Sequence, residues 1–181
     1  MSRDIGIFGG KFDPPHLGHK MTVDLAFEKY RMDEVWIIPS HGHPLGYESS
    51  SFMHRVEMCR IMAGIWKNST VKVLETEKEI NSGFTIDIIR HFLNSRPGFD
   101  LHLFIGADNW NIREKWKEFD QLEQLCKKII VTGRGNDTVD GFSLPDISST
   151  QIKEMIKKGL DPSPLLPDGI MEYIRKHSLY R

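Results

Sequence analysis

Gly9-Gly10-Lys11-Phe12-Asp13-Pro14-Pro15-His16-Leu17-Gly18-His19 is the stretch whose reading decides the fold. Just before it, Asp4-Ile5-Gly6-Ile7-Phe8 is short, apolar and partly β-branched, which suits a buried strand of a parallel sheet. Just after it, His16 to Tyr30 carries Leu17, Met21, Leu25 and Ala26 at helical spacing with charge between them. The stretch is therefore a strand-to-helix turn, the place where an open α/β sheet holds its ligand.

Each residue type in the turn has a physical use. Gly9 and Gly10 carry no side chain, so backbone N–H groups can approach a phosphate closely. Asp13 before Pro14 and Pro15 reads as a helix start, a capping side chain followed by proline near the first helical position. The N-terminus of that helix offers unpaired N–H groups and partial positive charge. His16 and His19 are three residues apart, so both fit one face of the first turn and can donate to phosphate oxygens as charge develops. Lys11 adds a mobile cation. The same residues also fit a plain tight turn with a polar surface; it is their order after a first strand that is specific. A G-x-x-x-x-G-K-[ST] loop is excluded, because Ile5 stands five before Gly10, and there is no G-x-G-x-x-G.

Gly-Gly-x-Phe-Asp-Pro-x-His-x-Gly-His resembles the signature of the HxGH nucleotidylyltransferases. Over almost the whole chain the resemblance is to one branch, the bacterial nicotinate-nucleotide adenylyltransferases. It implies a Rossmann-like open, mostly parallel sheet with helices on both faces. It also implies transfer of AMP from ATP to nicotinate mononucleotide, with deamido-NAD and pyrophosphate as products. Nicotinamide mononucleotide or phosphopantetheine is the alternative acceptor, and a non-catalytic nucleotide sensor on the same fold is the rival from another class. His16, His19 and Lys11 would be catalytic, and a magnesium ion would arrive with ATP. Gly9, Gly10 and Phe12 would lie on the ATP side.

The other motifs follow in chain order. Ser82-Gly-Phe-Thr85 is similar to the family's Ser-Tyr-Thr, with Phe84 in the tyrosine place; Thr85 is a helix cap on either reading and would also face the mononucleotide. Phe104-Ile-Gly-Ala-Asp-Asn109 is a strand with a glycine turn. In the family, Gly106 and Asp108 would contact the adenosine, and Trp116, eight residues after Asp108, would stack on the pyridine ring. A core role for the indole is the plain alternative. Asp146-Ile-Ser-Ser-Thr-Gln-Ile-Lys153 is in any case a helix start. It resembles the family's second signature, in which Ile147, Ser148, Ser149, Thr150 and Lys153 would hold the triphosphate. Arginine is usual where this chain has Lys153, and lysine keeps the charge without the planar fork. The loop His41-Gly-His43-Pro44-Leu-Gly-Tyr47 stands where the family commonly has Pro-Pro-His-Lys. It reads as a polar surface loop or a reshaped lid, with His43 and Arg55 as candidates for the acceptor phosphate. Tyr173-Ile-Arg-Lys-His-Ser-Leu-Tyr180 also looks like this branch.

The remaining pattern predicts strands at Glu34–Pro39, Thr70–Leu74, Leu101–Ile105 and Lys128–Val131. It predicts helices at Phe52–Trp66, Phe84–Asn94, Gln121–Cys126, Ser148–Lys158 and Asp168–His177. Alternation of the two types implies α/β. The 181 residues suit one domain that buries roughly 70% of its unfolded surface. A net charge of −1 without basic blocks argues against nucleic acid as a partner. Cys59 and Cys126 form no Cys-x-x-Cys pair and read as reduced core thiols rather than zinc ligands. Absence of a signal-like start or a long apolar run predicts a cytoplasmic protein away from the membrane. ATP and a pyridine mononucleotide are the expected partners, and oligomeric state is open, a homo-oligomer included.

Overall fold

A computed structural model describes residues 2–41, 50–67, 70–135 and 143–181. Its frame is one five-stranded, wholly parallel sheet in the order β3-β2-β1-β4-β5. The strands are β1 (Arg3–Gly10), β2 (Glu34–Pro39), β3 (Val71–Val73), β4 (Phe99–Gly106) and β5 (Lys128–Thr132). Parallel neighbours need crossovers, and the helices supply them. These are α1 (Leu17–Glu28), α2 (Phe52–Ala63), α3 (Thr76–Ile80), α4 (Thr85–Ser95), α5 (Ala107–Asn111), α6 (Phe119–Leu125), α7 (Ser149–Lys157) and α8 (Ile170–Lys176).

Side chains alternate across the sheet and build two cores. On one face Ile5, Ile7, Trp36, Ile38, Leu101 and Leu103 pack on Ile86, Ile89 and Phe92 of α4 and on Phe119 and Leu122 of α6. On the other Phe8, Val35, Ile37, Phe104 and Ile130 meet Val23 and Ala26 of α1 and Cys59 and Met62 of α2. The Rossmann-like arrangement with helices on both faces is thus the observed one. A third cluster, with Met58, Ile147, Ile152, Ile170, Ile174 and Tyr180, joins α7 and α8 to the back of α2. Both cysteines are free and buried, and burial pushes the Cys126 thiol up to about 12. Gly6 lies where β1 is crossed closely; a Cβ there would sit 2.9 Å from the Phe104 ring.

The differences from the sequence reading have local causes. Met21 is exposed, and α1 instead buries Gly18, Thr22, Val23 and Ala26, so the buried stripe is small and partly polar. The α2 helix is buried on two sides, sheet and α8, which is why its apolar pattern is broad. Short α3 and α5 were hidden in polar sequence, being only five residues each. The Asp13-Pro14-Pro15 segment does not begin the helix. His16 is still extended (φ −141°, ψ 175°), α1 starts at Leu17, and the Asp13 side chain is turned inward to Ser50 and Tyr180.

Among the described residues no helix is long and apolar enough to cross a membrane.

Candidate active site

Strand order reverses beside β1. From β1 the chain moves outward to β2 and β3, then returns to β4 on the other side of β1. The crevice beyond the carboxyl ends of β1 and β4 is where such a sheet binds ligands. A cleft of about 820 Å³, counting its open mouth, lies at these strand ends. Gly9 and Gly10 of β1, Lys11, His16 and His19 line one side; Gly106, Asp108, Arg134 and Ile147 line the other. Above Gly9 and Gly106 there is open space where a Cβ would stand, so the backbone itself forms part of the wall.

The histidine pair is built by the turn. The His16 and His19 rings stack with centroids 3.7 Å apart and planes 30° apart. Gly18 makes room for this, because a Cβ there would lie 3.1 Å from the His16 ring. The His16 backbone N–H donates to His19 Nδ1 at 3.1 Å. That bond assigns the His19 proton to Nε2, leaving Nε2–H as the donor. Phe12 is buried behind the pair, its ring edge-on to His19 at 4.8 Å.

Both imidazoles are neutral at pH 7. Burial, then the positive charge of Arg134, lowers His16 from 6.5 to about 4. Burial, then His16 and Arg134, holds His19 well below its ordinary value. The site therefore offers uncharged N–H donors fixed by stacking, beside separate cations. Arg134 is one such cation. Its guanidinium pairs with Asp108 and donates to the Ile147 carbonyl at 3.3 Å. Sequence reading missed Arg134, along with Thr22, Asn109 and Thr132 in the same lining. Its signal was position: it sits just past the carboxyl end of β5.

The expected site residues divide into three groups. Gly9, Gly10, Lys11, His16, His19, Gly106, Asp108 and Ile147 come together in the cleft. A second group stands behind it. Ser148 caps α7 by accepting from the Gln151 N–H at 3.1 Å. Ser149 donates to the Pro14 carbonyl at 2.9 Å, and Lys153 reaches Asp13 at 3.5 Å. Thr150 is exposed on the first turn of α7. The second signature is thus fastened onto the first. Arg55 is fully buried and donates to the carbonyls of Lys11 and Ser40 at 2.9 and 2.7 Å. It braces the turn and the end of β2, in place of the open phosphate contact expected of it.

The third group lies elsewhere. Trp116 is half-buried in a separate groove with Trp110, Arg113 and Phe119, its ring edge-on to Phe119 at 6.0 Å. Thr85 opens α4. His43 lies outside the described residues, as do positions 42–47 of its loop; His41 at the loop's start donates its N–H to Glu77 at 2.7 Å.

A parallel sheet with a glycine turn at the end of β1 and a His-x-Gly-His start to α1 defines a nucleotidyl-transferring class of fold, and the chain belongs to the cytidylyltransferase-like family, which it matches over residues 7–155. Within that class it groups with the nicotinate-nucleotide adenylyltransferases. It is 34% identical over 184 residues to a probable nicotinate-nucleotide adenylyltransferase of Anaeromyxobacter dehalogenans (strain 2CP-C), covering 99% of this chain and 97% of the relative. It is 29% identical to the nicotinate-nucleotide adenylyltransferase of Bacillus subtilis (strain 168), covering 98% of each. In fold it is similar to the Plasmodium falciparum nicotinic acid mononucleotide adenylyltransferase complexed with NaAD. That match has a TM-score of 0.80 at 21% identity over 98% of this chain and 97% of that one.

Proposed function

We propose that the protein transfers AMP from ATP to nicotinate mononucleotide, forming deamido-NAD and releasing pyrophosphate, a step of NAD biosynthesis in the cytoplasm. The observation that carries this reading is the stacked, neutral His16–His19 pair on the glycine-walled cleft at the strand reversal. The named relatives support the choice of acceptor.

In the reaction the acceptor phosphate attacks the α-phosphorus of ATP in line, and the α-phosphorus–oxygen bond to pyrophosphate breaks. No covalent intermediate with the protein is needed, because orientation and charge stabilisation supply the rate. His19, whose Nε2 carries the proton, and His16 donate to oxygens of the transferring and leaving phosphates. Neutral donors suit this chemistry, because they take no proton from bulk solvent at pH 7 and hold one geometry throughout. Lys11 and Arg134 add charge along the triphosphate path. Gly106, Asp108 and Ile147 hold the adenosine end, with Asp108 exchanging its Arg134 partner for ligand hydroxyls. Ser148, Ser149, Thr150 and Lys153 support the phosphate end from α7, and Phe12 backs the imidazoles. Trp116 and Thr85 belong to the acceptor side.

Asp108, the carboxylate in the cleft lining among the described residues, is occupied by Arg134, and no group of three or more His, Cys, Asp or Glu there could form a cage for a metal. That donor set fits a magnesium ion held mainly by ATP oxygens. Such an ion would shield triphosphate charge.

Pyrophosphate release is the test. Purified protein with ATP and magnesium is offered nicotinate mononucleotide, nicotinamide mononucleotide and phosphopantetheine in parallel. The highest kcat/KM is expected with the nicotinate form. No pyrophosphate with any acceptor, alongside ATP binding, would establish the nucleotide sensor instead.

A further inference from the structure

Beneath the catalytic turn lies a buried polar cluster whose Asp13, Ser50 and Tyr180 the chemistry above leaves unused. Asp13 is 1% exposed, three residues before His16 and outside the cleft lining. Its Oδ1 accepts from the Tyr180 hydroxyl at 2.7 Å and from the Ser50 hydroxyl, and its Oδ2 faces Lys153 Nζ at 3.5 Å. Tyr180 is buried as well, and its hydroxyl lies 3.3 Å from Ser50 Oγ. A carboxylate in so dry a place is costly unless its lone pairs are met. Here they are met by groups from three distant parts of the chain.

Tyr180 reaches this place by a defined path. After α8, Ser178 and Tyr180 both adopt left-handed backbone (φ 52° and 65°), and the Leu179 N–H returns to the Ile174 carbonyl at 3.1 Å. Non-glycine residues adopt that conformation at a cost, so the packing must hold it. The Tyr180 ring is seated with Ile147, Ile152 and Ile174, and only its hydroxyl meets polar partners. Burial raises the phenol far above its ordinary range, so the hydroxyl remains a donor at every working pH.

We propose that Tyr180 is a positioning residue for adenylyl transfer, its buried hydroxyl fixing Asp13 and through it the Phe12–His16 turn that aims the two imidazoles. This rests on the reading of the cleft as the adenylyl-transfer site. The path is short and continuous. Asp13 adjoins Phe12, whose ring supports His19, and Ser149 holds the Pro14 carbonyl from the other side. Release of Asp13 frees the segment between two points that α7 and β1 otherwise fix.

Tyr180→Phe removes one oxygen and keeps the ring. It is compared with wild type, Asp13→Asn, the double variant, and Ile170→Val, which trims the same apolar cluster without touching Asp13. Two readouts are taken: steady-state kinetics, and the imidazole NMR signals of His16 and His19 in the ligand-free protein. Tyr180→Phe is expected to lower kcat about ten- to a hundredfold, the scale of a small misplacement of reacting groups, with the ATP KM changed less than about twofold. It should displace the His19 signal beyond the line width, and the double variant should be no worse than Asp13→Asn. Ile170→Val should lower Tm and leave kcat and both signals unchanged. An unmoved His19 signal in Tyr180→Phe overturns the proposal. So does a kcat loss shared by Ile170→Val, or one that adds fully to that of Asp13→Asn. Wild type inactive with every acceptor would refute the adenylyl-transfer reading alone, and the NMR comparison would still decide the role of Tyr180.

Discussion

Replacing His16 by Gln should flatten the acid limb of the stability curve. In the folded protein the buried His16 ring protonates only near 4, against 6.5 for the free imidazole. Between those values the unfolded chain binds the proton and the folded chain does not. Stability is therefore complete above about pH 6.5 and falls as pH is lowered through the window toward 4. The limiting slope is about 1.4 kcal/mol per pH unit for one proton. Integrated from neutrality to about pH 4.5, the loss is about 2.5 kcal/mol, with about 3 kcal/mol as the ceiling once both states are protonated. Glutamine keeps a neutral donor and has no proton to gain. Urea unfolding at several values between pH 7.5 and 4.5 measures the effect for both proteins, with all other titrating groups common to the pair. Wild type should lose about 2.5 kcal/mol more than His16→Gln across that range. Parallel curves would refute the claim that burial keeps this imidazole neutral, and with it the picture of uncharged donors in the cleft.

Three further expectations concern other parts of the structure. His16→Ala and His19→Ala should each lower kcat by about tenfold to a thousandfold in pyrophosphate release, with the fold retained by circular dichroism; a fully active double variant would remove the mechanism. Gly6→Ala should cost roughly 1–3 kcal/mol in urea unfolding, since its Cβ would stand 2.9 Å from the Phe104 ring, and Gly6→Ala with Phe104→Leu should recover part of the loss. Trp116→Ala should raise the acceptor KM by about fivefold or more, the kinetic equivalent of a lost aromatic stack, while the ATP KM stays in place. An equal rise for both substrates would make the indole a packing residue of its groove.

Much of this was legible in the sequence, for reasons that particular residues make clear. The inner strands could be read because parallel strands buried on both faces are continuous apolar runs, as Val35–Pro39 is with every residue buried. The glycine–histidine turn could be read because its residues act locally, within one strand end and one helix turn. What could not be read depends on distant partners. Asp13 looked like a helix cap, yet its hydrogen bonds come from Ser50 and Tyr180, far along the chain. Arg55 looked like a phosphate ligand because its type fits one, whereas two backbone carbonyls claim it. Lys153 and Ser149 resembled triphosphate ligands, and nothing local announced their ties to the Asp13–Pro14 segment. Arg134 lacked any local pattern and acquires meaning only where β5 ends against the cleft.

The placement of β1 between β2 and β4 also sets an order of events in the life of the chain. Arg3 pairs with Phe99, so the first strand to be made waits roughly a hundred residues for its second neighbour, the kind of long-range closure that slows folding. During synthesis Ile5, Ile7 and Phe8 would stand beside an unfilled sheet edge, open to pairing with the wrong strand. The two walls of the cleft rise from the ends of these two late-meeting strands, with Arg134 and Ile147 added from beyond β5. A nascent chain stalled before β4 would hold both histidines and have no crevice, so activity should emerge abruptly once β4 and the segment carrying Arg134 and Ile147 are in place, and cells making it quickly should depend on whatever shields β1.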